Sequence, residues 1–227
     1  MNTAIVDYEM CNMFSVKQAA DHAGLHAEIT SDHERIRAAD LIILPGVGAF
    51  GDAMQAIRRL KLDKLLHELA EKGKLLLGIC LGFQLFMTSS EEFGFHDGLN
   101  LIPGKVKRFQ PRPEAGTEGT VMVPHVGWSS IWKAESGPGM EDPWGDTPLQ
   151  GIAEGEYFYF VHSYYVEPAR RETVLSWTSY GPYRFCSSLR QRNIFAFQYH
   201  PEKSGPAGMQ IYKNLLRTIQ TKTSLNL

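Results

Sequence analysis

Little in this sequence invites a disulfide framework, a membrane or a nucleic acid. Its 227 residues include three cysteines, Cys11, Cys80 and Cys186. They are too few and too scattered for a disulfide framework, and no C-x-x-C pair offers zinc spacing. Each thiol needs its own explanation, and no metal-ligand set is visible. The 23 basic and 25 acidic residues leave a formal net charge of -2. These charges are interspersed, without a basic stripe to neutralise a phosphate backbone, which argues against a nucleic-acid partner. No apolar run reaches the ~18 residues of a membrane span. The opening MNTAIVDYEM lacks a basic region followed by an apolar one, and no lipid anchor is suggested, so the expected location is cytoplasmic. Internal repeats and low-complexity tracts are missing too.

What is present is a globular composition, 43% apolar, read as one domain over residues 1–227. Through the first ninety residues, short apolar runs alternate with amphipathic stretches: AIVDY, SVKQAADHAG, HAEIT, DLIILP, GDAMQAIRRLKLDKLLHELAEKG, KLLLGI and a helical pattern from Leu81. Runs that are apolar throughout, such as LIIL, suit strands covered on both faces. The expected fold is α/β, with a mostly parallel central sheet and helices on both faces. Gly24 and Gly73 fall where helices would close, and Ser15 where one would open. Beyond about Gly98 the signals become strands: KVKRF, VMVPHVGW, YFYFVHSYYV, TVLSWTSY, RFCSSL and NIFAFQYH. Turn residues separate them, so the second half reads as β-rich with hairpins. QPRPEAGTEG and KAESGPGMEDPWGDTPLQG read as surface excursions.

GICLG sets Cys80 between two glycines at the end of an apolar run. This G-x-C-x-G is the thiol counterpart of a nucleophile elbow, in which a sharp strand-to-helix turn lifts the nucleophile above the sheet. A following helix would favour thiolate, and the Leu81 N–H would be an oxyanion donor. Taken alone, the pentapeptide fits a buried structural cysteine equally well. Five of the eight histidines, His22, His26, His33, His67 and His96, lie in polar contexts that suit solvated imidazoles. His125, His162 and His200 remain. His200 ends NIFAFQYH, and Glu202 follows two residues later, where extended-chain alternation would turn both to one side. A nucleophile, a base and an orienting acid at strand ends make a thiol triad. LIILPGVGAFGDAM adds a buried strand running into a Pro-Gly-x-Gly turn, which fits an ordinary βα turn or an anion-facing one. Neither nucleotide-loop signature is present.

With PGVGAFGD, GICLG, SEEFG, VPHVGW, YFYFVHSYY and HPEKSG in this order, the chain resembles the class I glutamine amidotransferases over essentially its whole length. More narrowly, it resembles the glutaminase subunit family of imidazole glycerol phosphate synthase. The resemblance implies a flavodoxin-like fold. It also implies a Cys80-His200-Glu202 triad that hydrolyses L-glutamine to glutamate and ammonia, with no metal or other cofactor. By position, Val47 and Gly48 match the family's oxyanion strand, and Gln84, Glu92, Ser163 and Tyr164 match groups that hold the substrate. Trp128, Tyr159 and Lys203 match positions facing a (β/α)8-barrel cyclase subunit that forms a heterodimer with the glutaminase and consumes its ammonia in histidine biosynthesis.

Two segments depart from the pattern. The family's DYG-x-GN stands here as DYEMCN, with Glu9 and Cys11 in place of glycines. Its GWN stands as GWSS, with Ser129 in place of asparagine. A paralogous glutaminase feeding amidino-sugar synthesis shares the same motifs. A free-standing thiol γ-glutamyl hydrolase would share the triad.

Overall fold

Alternation along the strands decides the architecture of the first half. The computed structural model describes residues 2–10, 13–111, 121–135 and 142–225. Its first half runs β1 (Thr3–Val6), α1 (Met13–His22), β2 (Ala27–Thr30), α2 (His33–Ala38), β3 (Leu41–Leu44), α3 (Phe50–Arg59), α4 (Leu62–Glu71), β4 (Leu75–Ile79) and α5 (Leu81–Leu85). The four strands pair in parallel in the order β2-β1-β3-β4. Successive side chains leave a strand on opposite faces. Val6, Ile42, Leu44 and Leu76 therefore enter one core with α2, α3 and α4, while Ile5, Ile43, Leu77 and Ile79 enter another with α1. The C-terminal α6 (Gly205–Leu225) supplies Ile211, Tyr212 and Leu215 to the second core. Helices thus cover both faces, as the fully apolar strands require.

Local signals were legible to different degrees. Gly24 and Gly73 close α1 and α4 in the left-handed region, at φ +86 and +77, as their positions predict. Ser15 is not a cap, because α1 already begins at Met13. The long amphipathic stretch before Gly73 is two helices, parted at Lys61 with φ 56. α2 is too short to show a periodicity. It is held by Asp32, whose carboxylate accepts the N–H groups of Glu34 at 2.8 Å and Arg35 at 3.0 Å.

The second half comprises β5 (Ser89–Ser90), β6 (His96–Asp97), β7 (Gly104–Arg108), β8 (His125–Ser130), β9 (Trp132–Lys133), β10 (Tyr157–His162), β11 (Tyr164–Pro168), β12 (Val174–Tyr180), β13 (Tyr183–Gln191) and β14 (Ile194–Phe197). β14 lies parallel to β4, and β13, β11 and β7 continue the sheet by antiparallel pairing. The sheet is therefore parallel across β2, β1, β3, β4 and β14 and again between the short β5 and β7, and mixed as a whole. β8 and β10 form a separate antiparallel pair. The run YFYFVHSYYV, which reads as one strand, breaks at Ser163, where the chain leaves the small sheet for the main one.

Residues 112–120 and 136–141 of the two polar loops lie outside the described residues. The rest of the second loop is no mere surface excursion. Trp144 is buried, and its indole N–H donates to the Leu175 carbonyl at 2.8 Å, which lets a large ring with one polar atom enter the core. Among the described residues, no helix is long and apolar enough to cross a membrane.

Candidate active site

β4 ends at Ile79 beside the end of β14, and the chain turns at once into α5. Cys80 makes that turn at φ 55, ψ -110. Its N–H donates to the Phe197 carbonyl at 2.8 Å, while its own carbonyl accepts the N–H groups of Phe83 and Gln84. The positive φ falls on the cysteine, and the flanking glycines serve close approach instead. A side chain at Gly82 would run into the Leu44 carbonyl, and one at Gly78 into Phe83 and Phe86. α5 has only five residues, so it lacks the aligned peptides of a longer dipole. What it offers is first-turn amides, among them that of Leu81, with no intrahelical partner.

Of the residues named from the sequence, Val47, Gly48, Cys80, Leu81, Gln84, Glu92, Ser163, Tyr164 and His200 line one pocket of about 240 Å³, which Val161 and His162 complete. Glu202 stands behind His200, with Oε1 2.7 Å from Nδ1. Strand alternation does not make this contact, because β14 has already ended. Pro201 opens a single 3-10 turn, Pro201–Lys203, that folds Glu202 back on the imidazole. The turn is anchored to β10: the His200 N–H donates to the Tyr159 carbonyl at 2.9 Å, and the Ser204 hydroxyl accepts the Tyr159 N–H.

Burial works against a charged His200, but the adjoining Cys80 thiol and the Glu202 carboxylate outweigh it, and its pKa is raised to about 10. His200 Nε2 is itself buried without a hydrogen-bond partner. The thiol lies near it and points instead to the Val161 carbonyl at 3.8 Å. The opposite wall carries Gln84, whose amide donates to the Tyr164 carbonyl at 3.0 Å and to Gln198 at 3.1 Å. Burial raises the pKa of the Glu92 carboxyl, an effect that the Phe50 N–H at 2.6 Å opposes. In the PGVG turn the Val47 N–H donates to the Met10 carbonyl at 3.5 Å, so the N-terminal loop engages that amide. Gly48, at φ +99, lines the pocket beside it.

Comparisons with known proteins give the family. The family model described as glutamine amidotransferase class-I matches residues 4–219. This chain belongs to the class I glutamine amidotransferases. It is 40% identical to the imidazole glycerol phosphate synthase subunit HisH of Aquifex aeolicus, across 99% of this chain and 100% of that one. It is 44% identical to the subunit of the same name from Moorella thermoacetica, with 93% and 92% covered. Solved structures share the amidotransferase fold at low identity. PurLQS from Thermotoga maritima gives a TM-score of 0.67 at 18% identity, covering 98% of each chain. The glutaminase domain of Trypanosoma brucei CTPS gives 0.62 at 15%, covering 97% of this chain and 94% of that one.

The three residues matched to a partner face lie together just outside the amidotransferase pocket. Trp128 is 55% exposed, and its ring is 6.1 Å from that of Tyr159. The Lys203 ammonium lies 5.8 Å from the same Tyr159 ring, which is 6.5 Å from His200. Both departures from the family pattern can be placed in part. Glu9 adopts φ 71 and pairs with Arg59 of α3, while Cys11 falls outside the described residues. Ser129 hydrogen-bonds to His125 at 2.9 Å. Cys186 is a buried free thiol whose pKa burial pushes up, as suits a structural residue. Sequence reasoning attached no role to His125 or Gln198. No local pattern singles out His125, whose place directly opposite His162 comes from the β8–β10 register.

Proposed function

We infer that the chain is the glutaminase subunit of an imidazole glycerol phosphate synthase, acting in the cytoplasm as a single amidotransferase domain. The meeting of Cys80 and His200 in one small pocket, with Glu202 hydrogen-bonded behind His200, carries this reading. The thiolate of Cys80 attacks the side-chain amide carbon of L-glutamine, and the Gly48 and Leu81 amides receive the oxyanion. His200 hands its proton to the departing ammonia, leaving a γ-glutamyl thioester on Cys80. Water, deprotonated by His200, then cleaves the thioester to glutamate and restores the thiol. Glu202 holds the imidazole in one orientation. The buried carboxylate of Glu92 suits the α-ammonium group of glutamine, and Gln84, Ser163 and Tyr164 bound the rest of the substrate. The pocket lies below the ~300–1,000 Å³ typical of drug-sized sites, in keeping with an amino-acid substrate.

The ammonia passes to a (β/α)8-barrel cyclase docked over Trp128, Tyr159 and Lys203, in a heterodimer that serves histidine biosynthesis. Names of relatives with 40–44% identity support that choice. The test is glutamate release from L-glutamine by the chain alone, with the cyclase, and with the cyclase and its nucleotide. Strong stimulation in the ternary mixture is expected. Cys80→Ala should lose at least about a thousandfold in rate. Activity that survives loss of the thiol would overturn the triad; a working triad that the cyclase does not stimulate would overturn the partner.

A further inference from the structure

The triad leaves two buried histidines unused, and they are not isolated. His162 Nδ1 lies 2.8 Å from the Tyr164 carbonyl, His162 Nε2 lies 3.1 Å from His125 Nδ1, and His125 Nε2 lies 2.9 Å from the Ser129 hydroxyl. A carbonyl can only accept, so His162 carries its proton on Nδ1. A neutral imidazole then has only a lone pair on Nε2. His125 must therefore donate from Nδ1, and its own Nε2 must accept the Ser129 O–H. Neutrality follows from the surroundings. Burial lowers His125 to about 4, and burial with the neighbouring His125 lowers His162 to about 3.

Every proton in the chain is thus dictated by one carbonyl at its inner end. The rings are held in place as well. His125 is stacked between Phe160 and Tyr180 at centroid distances of 5.0 and 4.0 Å, and His162 is wedged against Phe109 and Phe185 at 5.3 and 5.2 Å. The inner carbonyl is not incidental, because it also accepts the Gln84 amide at 3.0 Å. Two donors therefore pin the backbone at the break between β10 and β11, where Ser163 and Tyr164 form a wall of the pocket.

We propose that Ser129, His125 and His162 form a positioning relay that holds the Ser163–Tyr164 wall of the glutamine pocket from β8, with the Tyr164 carbonyl setting both tautomers and the Ser129 hydroxyl supplying the outermost donor. Its kinetic consequence rests on the glutaminase reading above; its proton assignment does not. Without a donor at residue 129, the His125 Nε2 lone pair is left buried without its partner, and nothing holds the outer end of the ring. The His125–His162 hydrogen bond then loosens, and the imidazole that donates to the Tyr164 carbonyl is held less firmly.

Two measurements on the full chain test the relay. Nitrogen-15 imidazole spectra at neutral pH should show His125 and His162 as neutral Nδ1–H tautomers. In Ser129→Ala the His125 Nε2 signal should shift as its hydrogen bond is lost, and the His162 Nε2 signal should move with it. In complex with the cyclase and its nucleotide, KM for glutamine should rise about three- to tenfold while kcat changes by less than about twofold. Ser129→Asn, whose amide can donate to the same nitrogen, should restore both the spectrum and KM. A wild-type His162 protonated on Nε2 would overturn the relay, and so would an unchanged KM in Ser129→Ala. A wild type that releases no glutamate would count against the reading of the pocket, and the relay would then be judged by the spectra alone.

Discussion

Cys80 sits at φ 55, ψ -110, a conformation that residues other than glycine rarely adopt and that persists only where surroundings over-determine it. Here the hydrogen bonds of its own amide and carbonyl to β14 and α5 do so. The companion His200 is tuned by its neighbours. Burial alone would lower its pKa, yet Cys80 and Glu202 raise it to about 10. A group whose pKa is raised on folding contributes stability that is complete below its unfolded value of ~6.5 and is lost as pH rises through the folded value. Wild-type stability should therefore decline from about pH 6.5 towards about pH 10. Glu202→Gln should flatten that decline and lower kcat by about a hundredfold or more, because the imidazole loses both its charge partner and its orienter. Urea titrations across that range and steady-state kinetics check the two halves. An unaltered pH slope in the variant would remove Glu202 from the account.

At the scale of elements, the site depends on how closely α5 is pressed on the parallel strands. Gly82 lies against the Leu44 carbonyl at the end of β3, with no room for a methyl group. Gly82→Ala should destabilise the fold by about 3 kcal/mol, because a backbone carbonyl yields less readily than a side chain. Glutaminase activity should fall with it, since the displaced turn carries Cys80 and Leu81. Chemical denaturation measures the first effect, and a loss below about 1 kcal/mol would show that α5 can shift without cost. Local physics explains which elements the sequence disclosed. Apolar runs and closing glycines mark β1, β3, β4, α1 and α4 plainly. α2 depends on one Asp32 cap, and the 3-10 turn that seats Glu202 depends on Pro201. In both cases the determinant is a single residue too short-ranged for a periodicity to reveal.

For the whole molecule, the outer face of the β8–β10 pair stands out. Val126, Trp128 and Tyr157 are each more than half exposed, and Tyr159 opposes Trp128 in the register. This apolar surface adjoins His200, so a partner seated on it would cover the exit from the catalytic pocket. If the proposed cyclase docks on this face, Trp128→Ala should weaken the association about tenfold or more, as expected for a large aromatic within an interface. The fold should be unaffected, because the ring is largely in solvent. Titration calorimetry of the two proteins would show it. Undiminished affinity would place the docking surface elsewhere.

The sequence by itself determined the layers of the sheet and the strand-end position of Cys80, and it nominated the three residues of the proposed triad, because these follow from local patterns: period-two burial, a glycine-flanked turn and short motifs in fixed order. Only the tertiary structure decided how distant segments meet. It folded Glu202 onto His200 through a turn rather than a strand, engaged the Val47 amide with Met10, and aligned His125 with His162 across a ladder that local sequence does not encode. These are contacts between residues far apart in the chain or at the end of an element. Their geometry depends on which strand pairs with which, and on a register that the burial of both faces fixes only once the whole sheet has formed.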